Sequence, residues 1–426
     1  MMLGIFAGAG VLLSAVLLVV IRPKALLFTC HRVIDCYKAI AILTFNALLL
    51  CAGLELAARG ISNLNRWSKP TEELVGEGKP RETVSYYSSQ GWAKRYWYEY
   101  KLSDKERYYP YVGWRRAPFK GQTINIDQNG IRLTPGADCG AKSYKVFLFG
   151  ESSMWGTGSP DWATIPANLQ RHLEKTIRRP VCVVNFAESA YSLTQNVIML
   201  LMQLQSGNVP DLVLFYNVEG DVYAGYQTGK AGMIQNLDQV AAKFDTSERN
   251  FTFLDQLRST SSYSLIGRLV DKLTVANPEQ AEFTSKQLLT YETMGIDFKE
   301  LGNSIARNYF NDYQIVDALS EKDGFKYLFL LPPHILLENN KPLTLEEQEI
   351  RRQSDSDTAF TKLFTAVYQN IQSHIAGYPN VYSMANVFDG YDFPIWIDAG
   401  HVTPGGNQLI ADRILNIIEA RSFDKN

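Results

Sequence analysis

Phe147-Leu148-Phe149-Gly150-Glu151-Ser152-Ser153-Met154-Trp155-Gly156-Thr157-Gly158 is the stretch whose reading decides the fold. With Val146 it opens as an apolar, aromatic run of strand character, then breaks into a small, polar, glycine-flanked turn. A strand that runs straight into Gly-acid-Ser sets a hydroxyl at the carboxyl end of a sheet, where open α/β sheets build their sites. Outward from it the pattern is βαβ. Strands are expected at 145–149, 181–185, 212–216, 327–331 and 381–383, with helical patterns at 165–177, 193–204 and 358–375 between them. Short apolar strands alternating with helices imply a parallel sheet covered on both faces. A last helix should begin near Pro404, with Ile410, Ala411, Ile414, Ile417 and Ile418 at helical spacing.

The serine needs a base, and the base needs a group that holds it in one tautomer. Of five histidines, His31 falls in a basic loop near the amino terminus, and His172 and His374 lie in amphipathic helical patterns. His334 follows Pro332-Pro333 at the end of the fourth strand, within reach of the same sheet edge. His401 stands three residues after Asp398, in a loop leading into the last helix. On a turn, that offset lets a carboxylate meet one ring nitrogen while the other faces the serine. Ser152, His401 and Asp398 are therefore expected to meet.

Gly150-Glu151-Ser152 early in the domain and Asp398-Ala399-Gly400-His401 before its terminal helix resemble the first and last blocks of the SGNH (GDSL-like) hydrolases. The resemblance covers roughly residues 144–422 and implies a three-layer, flavodoxin-like parallel sheet. It implies Ser152 as nucleophile, His401 as base, Asp398 as orienter, and no cofactor or metal. The Gly-x-Ser-x-Gly elbow of α/β-hydrolases does not fit, since Met154 stands at its second glycine. In the family's second block a glycine N–H serves the oxyanion; here Ala190 takes that place. The third block's Asn corresponds to Asn217 by residue type or to Gly220 by alignment on Asp221. Glu151 replaces the family's Asp, a positioning residue.

The rest of the chain bounds where this chemistry would occur. Leu3 to Ile21 carries no charge, and a second apolar run spans Ala39 to Ala57. About 19 helical residues reach roughly 28 Å, near one hydrocarbon core. Arg22, Lys24, Arg32 and Lys38 between them, against Asp35, place that loop in the cytoplasm and the remaining chain outside. The expectation is residues 1–60 as two membrane helices and a bacterial inner-membrane protein whose main domain is periplasmic or extracellular. Residues 61–143 read as a linker and a small β-rich module, with a hairpin turn at Asn129-Gly130. Its run of Tyr and Trp from Tyr86 to Trp114 suits packing more than sugar stacking, and Trp114-Arg115-Arg116 reads as a solvated or lipid-facing edge. Residues 144–426 form the α/β domain, with an insertion at about 222–308 that would be a lid or a structural bulge. Cys139 and Cys182 could pair or stay as buried thiols.

A net charge of −2 with 20% charged residues gives no electrostatic case for nucleic acid. Together these features point to a membrane-anchored serine esterase, and the family resemblance implies acylated, above all O-acetylated, surface or secreted glycans as its substrates, by hydrolysis or transfer. The alternative is a non-catalytic binding or assembly subunit with a membrane-protein partner.

Overall fold

The structure is a computed structural model that describes residues 33–47, 49–50, 53, 81–237, 240 and 290–423. The chain divides into two units, residues 1–74 with 247–285, and residues 75–246 with 286–426. In the first unit, residues 33–47 are helical and their apolar side chains are exposed. Among the described residues no helix is long and apolar enough to cross a membrane. The expected span at 3–21 lies outside the described residues, as do parts of the one at 39–57.

The second unit holds a five-stranded, all-parallel sheet. Its strands are β5 (Tyr144–Gly150), β6 (Val181–Asn185), β7 (Leu212–Tyr216), β8 (Lys326–Leu331) and β9 (Val381–Ser383), in the order β6-β5-β7-β8-β9. That order is the flavodoxin-like one, with the chain reversing direction across the sheet beside β5 and β7. Every expected strand is present, with ends moved by one residue at most. Alternation along β5 builds two cores. Val146 and Leu148 point into one, Phe147 and Phe149 into the other.

The helices covering the sheet start where their sequences supply caps. Thr164 caps α3 (Ile165–Thr176), which has Pro166 in its first turn. Ser192 and Gln195 form a reciprocal capping box on α4 (Leu193–Gln205). The helix α3 and the terminal α9 (Pro404–Ala420) pack together on one face. The other face carries α4, α6 (Phe298–Asp323) and α8 (Thr358–His374), with α7 (Leu345–Ser354) preceding α8. Both ends of the insertion expected at about 222–308 belong to helices of the main domain. The helix α5 (Glu219–Thr228) leaves β7 directly, and α6 is a sheet-covering crossover helix from residue 298 onward. Most of what lies between falls outside the described residues.

Residues 81–143 share the sheet's unit rather than forming a separate body. They contribute α1 (Ala93–Ser103), a hairpin of β1 (Glu106–Tyr109) and β2 (Gly113–Arg116), and a pair of β3 (Phe119–Lys120) with β4 (Asn125–Ile126). The turn at Asn129-Gly130 forms as expected, and Arg132 bridges onward to Asn185 at the edge of the main sheet. Tyr87, Tyr96, Trp97, Ile124 and Ile126 enter the same core as Val146 and Leu148. Glu99 stitches this region together, its carboxylate accepting from the N–H groups of Gln122, Thr123 and Ile124 and from Arg95.

The expectation of an exposed edge at Trp114-Arg115-Arg116 is wrong. Arg115 and Arg116 are buried. The Arg115 guanidinium donates to the carbonyls of Gly130 and Phe186, and Arg116 pairs with Asp104 and Glu188 while lying 4.0 Å from the Trp155 ring centroid. Carbonyls stranded in loops beside the sheet need donors, and a planar guanidinium serves several at once.

Candidate active site

The turn after β5 is tight because Gly150 has no side chain. A Cβ there would sit 2.7 Å from the Cβ of Met154 and 2.8 Å from the carbonyl oxygen of Tyr216. The next residue, Glu151, is extended, and Ser152 opens a one-turn helix, α2 (Ser152–Trp155). Arg132 holds the far side of this loop, donating to the carbonyls of Trp155, Gly156 and Ser159 and pairing with Asp161. Trp155 is fully buried between Arg116 and Arg132, so it packs and does not face a ligand.

At the other end of the chain, residues 396–402 close on themselves. Trp396 bridges Val402, and the Ile397 N–H donates to the His401 carbonyl at 3.0 Å. Inside this turn Asp398 Oδ1 accepts the N–H groups of Gly400 (3.0 Å) and His401 (2.7 Å). Both Asp398 oxygens lie 2.8 Å from His401 Nδ1, and His401 Nε2 lies 2.6 Å from Ser152 Oγ. A carboxylate on Nδ1 sets the ring's proton there, which leaves Nε2 to accept the serine hydroxyl. The three residues expected to meet do so.

Sequence reasoning missed the fourth member of this group. The Arg81 guanidinium pairs with Asp398 Oδ2. Burial alone would raise the Asp398 carboxyl, but Arg81 and then His401 outweigh it and hold the group well below the usual carboxylate range. Nothing local marks Arg81. It lies 317 positions away in a charged stretch that reads as linker.

The three oxyanion candidates separate. Ala190 takes the left-handed conformation (φ 64°) that a glycine would adopt freely, and its turn closes through Tyr191 N–H to the Glu188 carbonyl. Among the described residues its own N–H meets no acceptor. Asn217 and Gly220 are engaged elsewhere, and Glu151 is the reason. Its carboxylate accepts the N–H of Val218 at 2.8 Å and of Gly220 at 2.7 Å, and lies 3.4 Å from the Asn217 amide nitrogen. Burial first, then Glu219 and Asp221, push the Glu151 carboxyl well up, while those two N–H bonds pull it down. Asp221 braces the start of α4, accepting from Leu193 N–H. Among the described residues no cluster of His, Cys, Asp and Glu is placed to hold a metal ion.

No family model matches the chain, and no curated relative matches it. Solved structures do. A lipase from a goat rumen metagenome is 14% identical, with 64% of this chain and 97% of that one covered and a TM-score of 0.34. An acetyl xylan esterase is 13% identical over 64% of this chain and 99% of its own, with a TM-score of 0.30. A putative lipolytic protein of the G-D-S-L family from Desulfitobacterium hafniense is 10% identical over 65% and 99%, with a TM-score of 0.33. What makes the chain resemble the SGNH (GDSL-like) hydrolases is its own construction: the parallel sheet order, a serine after the sheet's first strand, and Asp-x-x-His before the terminal helix.

Proposed function

We propose that this chain is a serine ester hydrolase of the SGNH type. One observation carries the reading, the relay from Asp398 through His401 to Ser152 at hydrogen-bond distance. Ser152 Oγ attacks the ester carbonyl carbon while its proton passes to His401 Nε2. The carbonyl oxygen becomes an oxyanion, with the Ala190 N–H as one donor. The C–O bond to the alcohol then breaks, and His401 returns the proton to the leaving oxygen. Water, deprotonated by His401, attacks the acyl-Ser152 carbonyl and restores the serine. An acceptor hydroxyl in place of that water gives acyl transfer. The substrates proposed are O-acetyl or similar acyl groups on surface or secreted glycans.

The proposed setting is the outer side of a bacterial inner membrane. The uncharged run 3–21 and the apolar run 39–57 support anchoring. The Cys139–Cys182 disulfide supports an oxidising compartment. Release of the full chain from membranes by alkaline carbonate would overturn the anchoring.

The second reading, a non-catalytic binding subunit, has one observation in its favour: Glu151 occupies the N–H groups of Val218 and Gly220. Loss of one oxyanion donor lowers rates about 10²–10³-fold. Hydrolysis of p-nitrophenyl acetate by wild type and Ser152→Ala separates the two. The esterase reading expects the variant to fall to the uncatalysed rate; equal rates favour the binding subunit.

A further inference from the structure

Beside the triad is a recess lined by Glu151, Ser153, Tyr216, Val218, Glu219 and His334, at the carboxyl ends of β5, β7 and β8. It adjoins the triad turn, since the Ile335 N–H donates to the Ala399 carbonyl at 3.0 Å and Ser153 Oγ to the Gly400 carbonyl at 3.0 Å. The His334 side chain is 2% exposed and its ring lies tilted against Phe364, with centroids 4.1 Å apart. Its Nδ1 accepts the Leu336 N–H at 3.3 Å, so the ring's proton is on Nε2. That Nε2–H has no hydrogen-bond partner among the described residues. Buried donors are seldom left unpaired, and an exception calls for an explanation.

The nearest carboxylate oxygen is Glu219 Oε1, 4.0 Å away. That is too far for a hydrogen bond, yet close enough for one small oxygen group to contact both atoms. Burial pulls the His334 imidazole down to about 3, reinforced by His401 and opposed by Asp398, so the ring is neutral at neutral pH. Burial pushes the Glu219 carboxyl up, with His401 the largest opposing influence. An anion would meet the carboxyl group, and a cation would meet a ring with no charge to offer it. A hydroxyl suits both partners, because it accepts from Nε2–H and donates to the carboxyl oxygen.

We propose that this recess binds a hydroxyl on the alcohol half of the ester, so that the site selects polyhydroxylated, sugar-like alcohols over alkyl or aryl ones. This rests on the esterase reading and gives its proposed glycan substrates a subsite. His401 delivers the proton to the leaving alcohol, and a subsite beside the His401 turn is placed to position that same half.

The test compares 6-O-acetylglucose with p-nitrophenyl acetate. The ratio of their kcat/KM values should fall about tenfold in His334→Phe, the worth of one hydrogen bond to a buried donor. In His334→Gln, which keeps an N–H donor, it should stay within about threefold of wild type. An unmoved ratio, or an equal fall on both esters, overturns the proposal, the second because it marks a purely structural role. A separate arm measures binding of 6-O-acetylglucose to Ser152→Ala by calorimetry, with and without His334→Phe. About tenfold weaker binding supports the subsite. Unchanged binding means that the recess holds only water and ends the proposal. Inactivity of the wild type on both esters would defeat the esterase reading, whereas the binding arm still judges the recess.

Discussion

Gly220→Ala should damage this protein more than a glycine-to-alanine change in a helix normally does. Gly220 lies in the first turn of α5, and a Cβ there would stand 2.3 Å from the Tyr191 carbonyl oxygen and 3.2 Å from the Glu151 carboxyl carbon. Ordinary contact at about 3.4 Å therefore requires a shift of roughly 1 Å. Neither neighbour yields easily. Tyr191 is buried, with its hydroxyl bonded to the Trp114 carbonyl, and Glu151 is bonded to the Gly220 N–H itself at 2.7 Å. Alanine gains about 1 kcal/mol of helix propensity over glycine. Overpacking against fixed backbone costs about 1–3 kcal/mol, so the net effect is neutral to destabilising by about 2 kcal/mol. The catalytic effect should be larger. Moving Glu151 moves Ser152 next to it, and a misplacement of about 1 Å costs on the order of 10²-fold in rate. The assay is kcat/KM on p-nitrophenyl acetate beside a thermal melt, with Gly377→Ala as control, because a Cβ at Gly377 meets nothing within 4 Å. If Gly220→Ala keeps wild-type kcat/KM, the coupling of α5 to the nucleophile through Glu151 is wrong.

Three further outcomes follow from the same geometry. Arg81→Leu should lower kcat/KM on p-nitrophenyl acetate about tenfold by removing the cation on Asp398 Oδ2, and Arg81→Lys should recover part of the loss because it restores charge without the planar fork; equal activity in Arg81→Leu and wild type would exclude a positioning role. Glu99, 2% exposed, is pulled down to about 2, because the N–H groups of Gln122 and Thr123, the Thr123 hydroxyl and Arg95 outweigh the opposing effect of burial. Its folded value lies below its unfolded one, so its contribution of about 3 kcal/mol is complete above pH ~4.5 and is lost as the pH falls towards ~2. Glu99→Gln should flatten the acid limb of a denaturation curve, and an unchanged limb would contradict this. Reduction of Cys139–Cys182, 43 residues apart, should remove about 2–4 kcal/mol and lower the melting temperature by several degrees, an effect absent from Cys139→Ser/Cys182→Ser.

The sheet was legible in the sequence because its strands are short, apolar and bounded by turn residues. Phe147 to Gly150 announces both a buried strand and its end. Asp398 and His401 were legible because their spacing is local, and a turn of four residues brings them together whatever surrounds it. The unread parts depend on pairings made only in the folded chain. Arg115, Arg116 and Arg132 look like surface charge, and only the stacked Trp155 and the loop carbonyls around them turn them into core. Arg81 reads as linker until the chain brings it to Asp398. Asn217, by residue type, and Gly220, by alignment on Asp221, were rival oxyanion donors. One added methylene in Glu151, relative to Asp, lets its carboxylate reach Gly220 N–H and lie near the Asn217 amide, which no reading of the third block alone would show. His334, expected within reach of this sheet edge, does lie beside the triad turn, to which its neighbour Ile335 is hydrogen-bonded.

The central claim is that Ser152 is a nucleophile activated by His401, and a fluorophosphonate probe tests it without knowledge of the substrate. Intact-mass and peptide analysis should find one adduct, on Ser152, absent from Ser152→Ala and slowed at least about 10²-fold in His401→Ala. Wild-type protein that stays unlabelled, or that labels equally fast without His401, would contradict the account.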